Sequence, residues 1–223
     1  AQIHELVKIL NLKNIEIYKN EFFSLLVMML KLSILSARSK RIFIGDENSR
    51  IYKFIKFFLF SKVIFMDDGV ATINSQNHNV ARFTIFNKDN IFLKNDFSQL
   101  NRFLNKKLPN SEKKIALIVG TKAIEEKILS KEDYFRFINC SIEFANNLEI
   151  YYWPHRGESR QTIEYVKNHA NIKVVNPTLP IELVSLLIHA NPEIIISMFS
   201  TALFSLKKIY PKASLTAIQM DDD

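Results

Sequence analysis

Short apolar runs alternate with amphipathic stretches along much of the chain. In the second half, five apolar runs have the length of buried strands, at 114–119, 148–153, 172–175, 193–197 and 215–218. Stretches with helical spacing lie between them, at 130–145, at 161–169, from 180 onward and at 201–209. Strands that alternate with helices are typical of a parallel sheet, so the second half is predicted to be a Rossmann-like domain.

The most apolar run of the whole chain is at residues 22–35. It is shorter than the ~20 residues that a helix needs to cross a bilayer, and it contains Lys31. We therefore expect a buried or interface helix there. A helix lying on a membrane surface is the alternative.

In the rest of the first half, apolar runs and amphipathic stretches alternate less regularly. Residues 41–44 and 62–66 predict strands, and residues 49–60 between them predict an amphipathic helix. Each strand ends abruptly at a polar turn, as in a parallel β-α-β unit. Two short apolar pieces at 83–86 and 91–93 flank a polar segment and predict a β-hairpin.

A polar and basic stretch at 101–114, broken by Pro109, is the predicted domain boundary. The 223 residues are enough for two modest domains. We assign residues 1–108 to an N-terminal α/β domain and residues 109–223 to the Rossmann-like domain. Because the chain does not begin with Met, we expect N-terminal residues to be missing through processing, truncation or disorder.

Composition narrows the classes of partner. With 30 Lys and Arg against 23 Asp and Glu, the net charge is +7, which suits nucleic acid, a phosphorylated lipid head group or a nucleotide-activated substrate. The positive charges are scattered rather than gathered in a run, and we therefore expect no nucleic-acid partner. The single cysteine, Cys140, excludes an internal disulfide and a Cys-rich metal site, and it suits a reducing cytoplasm.

The main candidate for chemistry lies at the end of the strand predicted at 148–153. Pro154 cannot donate to a sheet ladder and so ends that strand, and His155 and Arg156 follow it directly. Ligands of open α/β sheets bind beyond the carboxyl ends of the strands. These two side chains are therefore placed to meet an anion and a proton. The alternative is a surface loop whose histidine is merely exposed.

Two helix starts in the second half are further candidates. Ser200 and Thr201 precede the last helix; Ser200 is a candidate N-cap, and the free N–H groups of a helix start attract phosphate. An ordinary capping serine without a ligand is the alternative. Glu182 lies in the first turn of the helix after Pro180, where capping chemistry explains it. The same carboxylate can also accept from ribose hydroxyls, and both interpretations stay open.

Pairs of carboxylates follow two other strands. Asp67 and Asp68 repel each other, which raises the pKa of a partly buried member, as a general base requires. Gly69 lets a substrate approach the backbone, although a plain Asp-Gly turn is the alternative. These two acids lack the further ligands of a good metal site. The second pair, Glu125 and Glu126, is expected in a solvated loop.

Four stretches occur in one order: Asp-Asp-Gly after a strand, Pro-His-Arg after a strand, Leu-Pro-Ile-Glu opening a helix, and Phe-Ser-Thr-Ala opening another. Over residues 62–206 this order resembles the bacterial sialyltransferases of GT-B architecture, namely the lipooligosaccharide sialyltransferases of glycosyltransferase family 52 and, more distantly, the capsular polysialyltransferases. Those enzymes share an acidic D/E-D/E-G motif, a His-Pro motif and a Ser/Thr pair at a helix start. The chain departs from the pattern at His155, which is followed by Arg156 rather than by proline.

The resemblance implies two Rossmann-like domains that face each other across a cleft, with part of the N-terminal domain absent. It implies inverting transfer of sialic acid from CMP-sialic acid to a sugar hydroxyl of a lipooligosaccharide or capsular glycan, with no metal and no cofactor. Asp68, or Asp67, is then the base, with Glu126 as the alternative, and His155 hydrogen-bonds or protonates the departing phosphate. The implied substrate-binding residues are Gly69, Arg156, Glu182 for the ribose, and Ser200 and Thr201 for the phosphate.

Two other functions stay open: a GT-B glycosyltransferase with a different nucleotide sugar, and a catalytically silent nucleotide-binding subunit. The expected location is the cytoplasm, with peripheral association at the inner face of the inner membrane, where a positive charge suits a phosphorylated glycolipid. Formation of a homodimer is a further alternative that stays open.

Overall fold

The computed structural model describes residues 2–16, 18, 21–45, 52–53, 56–66, 81–86, 91–108, 113–168 and 171–219. By its internal contacts the chain divides into two compact units. The smaller unit is Leu12–Asp96, and the larger combines Ala1–Asn11 with Phe97–Asp223.

The described residues contain helices and parallel strands in both units. The helices are α1 (Gln2–Ile9), α2 (Phe22–Arg38), α3 (Ser98–Lys107), α4 (Lys131–Phe144), α5 (Arg160–Lys167), α6 (Val184–Ile188) and α7 (Ala202–Ile209). Short 3-10 helices occur at Lys56–Phe58 and Ile181–Leu183. The strands are β1 (Arg41–Ile44), β2 (Lys62–Met66), β3 (Arg82–Thr84), β4 (Ile91–Lys94), β5 (Ile115–Val119), β6 (Glu149–Trp153), β7 (Ile172–Val174), β8 (Ile194–Ser197) and β9 (Ser214–Ala217).

The smaller unit is built on a four-stranded sheet in the order β1-β2-β3-β4. Strands β1 and β2 are those predicted from the sequence, and they pair in parallel. The predicted hairpin is wrong, because β3 and β4 also pair in parallel, whereas a hairpin joins antiparallel strands. The polar composition of the intervening residues predicts a break between two strands, but it does not fix the direction in which those strands pair. Of the helix predicted at 49–60, only parts lie within the described residues.

Helix α2 exposes a continuous apolar face, which we call the α2 stripe and which has the helical spacing of neighbouring turns. Its members are Leu26, Val27, Leu30, Ile34 and Leu35, each between 43% and 59% exposed. The expectation of a buried helix is therefore wrong; the interface helix and the membrane-surface helix stay predictions. Among the described residues, no helix combines the length and the apolar character that a membrane crossing requires.

The larger unit is built on a five-stranded parallel sheet in the order β7-β6-β5-β8-β9. This order is compatible with a Rossmann-like sheet, because the chain starts at the centre, builds outward on one side and then crosses to the other. The reversal between β5 and β8 is the switch point, beside which such sheets bind their ligands. All five strands predicted in the second half are confirmed within a few residues.

Strand β5 is buried along its whole length because helices cover both faces of the sheet. One face packs on α4 and α5 through residues such as Ile118, Phe137 and Val166. The opposite face packs on α3, α6 and α7 through residues such as Leu117 and Leu206. The sheet is therefore buried between two layers of helices.

Helix α3 occupies most of the stretch predicted as a linker, so that prediction is wrong for residues 101–107. Leu104 is buried in the core of the larger unit, and Leu100 and Phe103 pack against it. Their i, i+3, i+4 spacing is the helical signal that the polar composition of the stretch obscured. The main segment of the larger unit therefore begins at Phe97, earlier than the predicted boundary, and α1 belongs to the same unit.

Candidate functional site

Two loops lie side by side at the carboxyl edge of the larger sheet, because β5 and β6 are paired neighbours. We call residues 120–130 the β5 loop and residues 154–159 the His155 loop. The Gly120 N–H donates to the Trp153 carbonyl at 2.9 Å, which continues the pairing to the start of both loops.

The His155 loop is a tight turn closed from both ends. The Glu158 N–H donates to the His155 carbonyl at 3.0 Å, and in return the His155 N–H donates to Glu158 Oε2 at 3.0 Å. Ser159 is the N-cap of the following helix α5, and its Oγ accepts from the Thr162 N–H at 3.1 Å. The residues immediately before α5 are thus fixed by a side chain as well as by the backbone.

One ring nitrogen of the His155 imidazole accepts a hydrogen bond from the backbone. The Gly157 N–H donates to Nδ1 at 3.0 Å, which places the proton of the neutral ring on Nε2. Partial burial lowers the pKa of His155, and the cations of Lys122 and Arg156 lower it further, while two glutamates of the β5 loop oppose them. At neutral pH the ring is therefore mainly neutral and offers an Nε2–H donor. A bound dianion would raise its pKa again.

Behind the turn, Glu158 is part of a buried cluster with two tyrosines. Glu158 Oε1 accepts from the hydroxyls of Tyr134, at 2.6 Å, and Tyr152, at 2.5 Å, and these hydroxyls are 2.7 Å apart. The Thr121 N–H donates to the Tyr134 hydroxyl at 3.2 Å. Burial raises the pKa of Glu158 to about 7, even though the tyrosine hydrogen bonds favour the charged form. Burial also raises the pKa of both tyrosines, so Glu158 titrates first.

Gly120 is required by this cluster. A Cβ at that position would lie 2.6 Å from Glu158 Oε1 and 2.8 Å from Tyr152 Cζ, closer than carbon contacts allow. The absence of a side chain lets the tyrosine–glutamate cluster pack directly against the end of β5.

The β5 loop presents charged groups to the His155 loop. Glu126 is ion-paired with Lys122, and both side chains are about half exposed, at 45% and 48%. Glu125 Oε1 accepts from the Ser159 N–H at 2.7 Å and from Thr162 Oγ1 at 3.2 Å, so it satisfies the start of α5. The prediction of an exposed loop is confirmed for both glutamates, but Glu125 also joins the two loops.

Arg156 is exposed next to His155. Among the residues that the structure describes, no ion pair engages its guanidinium. Its charge is therefore available to an anion that approaches His155 from solvent.

The end of β8 lies on the other side of β5. Ser197 is fully buried, and its Oγ donates to the Val119 carbonyl at 3.0 Å, which ties the two strands at the switch point. Helix α7 begins at Ala202 with Thr201 as its N-cap, one residue later than predicted. The Ala202 N–H donates to Ser200 Oγ at 3.3 Å, so Ser200 still satisfies a group at the helix start.

Glu182 belongs to the same side of the site as α7. It lies in the 3-10 helix that precedes α6, and its Oε1 accepts from Ser205 Oγ at 2.9 Å in the second turn of α7. Glu182, the predicted ribose residue, is thus hydrogen-bonded to α7, and the predicted phosphate residues Ser200 and Thr201 directly precede the same helix. His155 emerges at the same edge but from β6, two strand spacings from β8, or roughly 10 Å.

The predicted acidic motif cannot be compared with the structure. Asp67, Asp68 and Gly69 lie outside the described residues, so their roles stay predictions. No three His, Cys, Asp or Glu side chains within the described ranges are grouped to hold a metal ion.

The sequence prediction missed the tyrosine–glutamate cluster. Tyr152 lies in the apolar run that predicts the strand at 148–153, and it is fully buried. The available signal for Glu158 was its position three residues after His155, the spacing at which a glutamate reaches back to a backbone N–H. Tyr134 gave no such signal, because it comes from a distant part of the sequence.

The fold and the site define an α/β protein with two parallel sheets and a polar loop cluster at the carboxyl edge of the larger sheet. No protein-family model and no curated protein matches the chain.

Proposed function

We propose that the chain is an inverting GT-B glycosyltransferase that moves sialic acid from CMP-sialic acid to a sugar hydroxyl of a lipooligosaccharide or capsular glycan. The observation that carries the proposal is the placement of His155 and Arg156. They form a hydrogen-bond donor and a cation at the carboxyl edge of a parallel sheet, where nucleotides bind in folds of this kind.

The proposed role of His155 follows from the charge that develops in the reaction. The CMP phosphate gains negative charge as its bond to sialic acid breaks, and groups aimed at that charge stabilise the transition state more than the ground state. His155 donates from Nε2, and Arg156 supplies a full positive charge. Ser200 and Thr201, at the start of α7, hold the phosphate with backbone N–H groups.

The remaining roles come from the resemblance to family 52. Asp68, or Asp67, is the base that deprotonates the acceptor hydroxyl, and Glu182 accepts from the ribose. Glu126 is the second candidate base, but its ion pair with Lys122 engages the carboxylate, and we therefore rank Asp68 above it.

A thermal-shift comparison of nucleotides tests the donor. CMP at about 100 times its Kd should stabilise the protein by about 2.7 kcal/mol, which corresponds to a Tm increase of roughly 5–10 °C for a chain of this size. UDP, GDP and ADP should give smaller shifts. Arg156→Ala should reduce the CMP shift, whereas Lys167→Ala, which removes an exposed charge at the far end of α5, should not. A larger shift with UDP, GDP or ADP would instead indicate another nucleotide sugar.

Turnover separates the enzyme from a silent nucleotide-binding subunit. Incubation with CMP-sialic acid and a panel of galactosides, followed by mass spectrometry, should show an acceptor that has gained one sialic acid. Binding of CMP without any such product, across acceptors that include lipooligosaccharide and capsular oligosaccharide, would favour the silent subunit.

We also propose that the protein works peripherally at the cytoplasmic face of the inner membrane. The α2 stripe is apolar and exposed, and Arg38 and Lys40 at the end of α2 are exposed cations. An apolar helix face with nearby basic residues is the pattern of helices that lie in the interface of an anionic bilayer.

Vesicle co-sedimentation tests this association. The protein should pellet with vesicles of anionic phosphatidylglycerol more than with neutral phosphatidylcholine, and Leu30→Ser with Ile34→Ser should reduce the bound fraction several-fold. Phe144→Ser is the matched control, because Phe144 is an exposed apolar residue outside the stripe, in the larger unit. Unchanged binding in the stripe variant, or a dimer that the same substitutions dissociate, would contradict the membrane assignment.

A further inference from the structure

We propose that Glu158 is the positioning residue of the site, because its carboxylate fixes the turn that presents Nε2 of His155. This inference rests on the proposed function only for the consequence in catalysis. The positioning itself is a property of the unliganded chain and is testable without a donor substrate.

One oxygen of the Glu158 carboxylate accepts hydrogen bonds from the core of the unit, and the other accepts a hydrogen bond from the His155 loop. Oε1 is fixed by the hydroxyls of Tyr134 and Tyr152, which belong to α4 and β6 in the core of the unit. Oε2 accepts from the His155 N–H at 3.0 Å. The position of the His155 backbone is therefore set by two buried side chains from the scaffold rather than by the loop alone.

Hydrogen bonds within the turn also orient the imidazole ring of His155. Because the Glu158 N–H also donates to the His155 carbonyl, the two residues are linked twice and residues 156–157 are constrained between them. The constraint places the Gly157 N–H 3.0 Å from Nδ1 of His155. With Nδ1 occupied, the ring is oriented and Nε2 is the nitrogen that carries the proton.

The cluster is closely packed. A side chain at position 120 would collide with the Glu158 carboxylate and with Tyr152, and Tyr134 and Tyr152 are both fully buried. Glu158 itself is 9% exposed, so it is not placed to contact a substrate. It acts through His155, as groups that hold a reacting side chain in its productive geometry do.

The first test measures the His155 ring directly. In ¹⁵N NMR spectra of the full chain above the pKa of the ring, the wild type should show one tautomer, with the proton on Nε2. Glu158→Ala should give a mixture of tautomers and faster hydrogen exchange at the Gly157 amide. Glu158→Gln should retain much of the wild-type signature, because its amide oxygen can still accept from the His155 N–H.

The second test compares two neighbouring tyrosines. Tyr152→Phe removes a donor to Glu158, whereas Tyr151→Phe removes a donor to Glu149 at the other end of the same strand. Tyr152→Phe should shift the tautomer ratio towards that of Glu158→Ala, and Tyr151→Phe should leave it at the wild-type value. If Glu158→Ala folds and keeps a single Nε2–H tautomer and a protected Gly157 amide, the positioning role is wrong.

A measurement of activity distinguishes a failure of the positioning role from a failure of the proposed function. With CMP-sialic acid and an acceptor, Glu158→Ala should lower kcat by about 10- to 100-fold with little change in the donor KM, and Glu158→Gln should recover most of it. If the wild type shows no sialyl transfer, the proposed function fails while the NMR comparison still decides the role of Glu158. If transfer occurs and the tautomer does not respond to Glu158, only the positioning role fails.

Discussion

Replacing His155 with alanine should lower kcat for the proposed sialyl transfer by about 100- to 1,000-fold, the range expected when a preorganised hydrogen-bond donor to developing charge is lost. The loss should appear in kcat rather than in the affinity for CMP. In the proposed mechanism, Nε2–H donation gains strength as the phosphate becomes more negative, while Arg156 and the start of α7 still bind the ground state. Steady-state kinetics with CMP-sialic acid, together with CMP titration by calorimetry, measures the two quantities.

His4→Ala is the control for this variant. His4 is an exposed residue of α1, where alanine preserves the helix, so its removal should leave kcat unchanged. A His155→Ala enzyme that transfers sialic acid as fast as the wild type would show that the leaving phosphate is stabilised elsewhere. A variant that loses CMP binding as strongly as turnover would assign His155 to ground-state binding instead.

The sheet of the larger unit could be predicted because its strands are short continuous apolar runs. A strand that helices cover on both faces needs apolar residues at consecutive positions, and β5 meets that condition over its full length. The parallel order followed from the intervening helices. The sheet of the smaller unit was harder to predict, since the polar segment between β3 and β4 carries no information about strand direction.

The position of His155 could be predicted for a similar local reason. Pro154 ends β6, so the next residues must lie at the carboxyl edge of the sheet. The support of His155 could not be predicted, because Tyr134 meets Glu158 across 24 positions of sequence through the packing of α4 on β6. The occupation of Nδ1 by the Gly157 amide depends on that same turn.

The buried carboxyl of Glu158 should make the stability of the larger unit fall as pH rises. Its pKa is raised from 4.5 to about 7 in the folded chain. Between these two values the folded protein retains a proton that the unfolded chain has released, so the free energy of unfolding decreases with pH through this window. Below pH 4.5 both states are protonated and the effect is absent. Above about pH 7 the full loss, about 3 kcal/mol, applies.

Glu158→Gln should remove this dependence, because the amide does not titrate. Relative to the wild type, the variant should gain about 3 kcal/mol in the free energy of unfolding between pH 4.5 and pH 8. The lowered pKa of His155 acts in the opposite direction, since the unfolded chain binds that proton more readily below pH 6.5, but the term is present in both proteins and largely cancels in the difference.

Urea denaturation at a series of pH values, followed by fluorescence, measures the effect. Trp153 is the single tryptophan of the chain and is buried in β6, so its emission reports on the unit that contains Glu158. Glu164→Gln is the control, because Glu164 is an exposed glutamate of α5 whose ion pair with Lys167 is solvated. Its difference from the wild type should stay nearly flat with pH. A flat difference for Glu158→Gln as well would mean that the Glu158 carboxylate is already ionised at pH 5, stabilised by its tyrosines more strongly than burial opposes it.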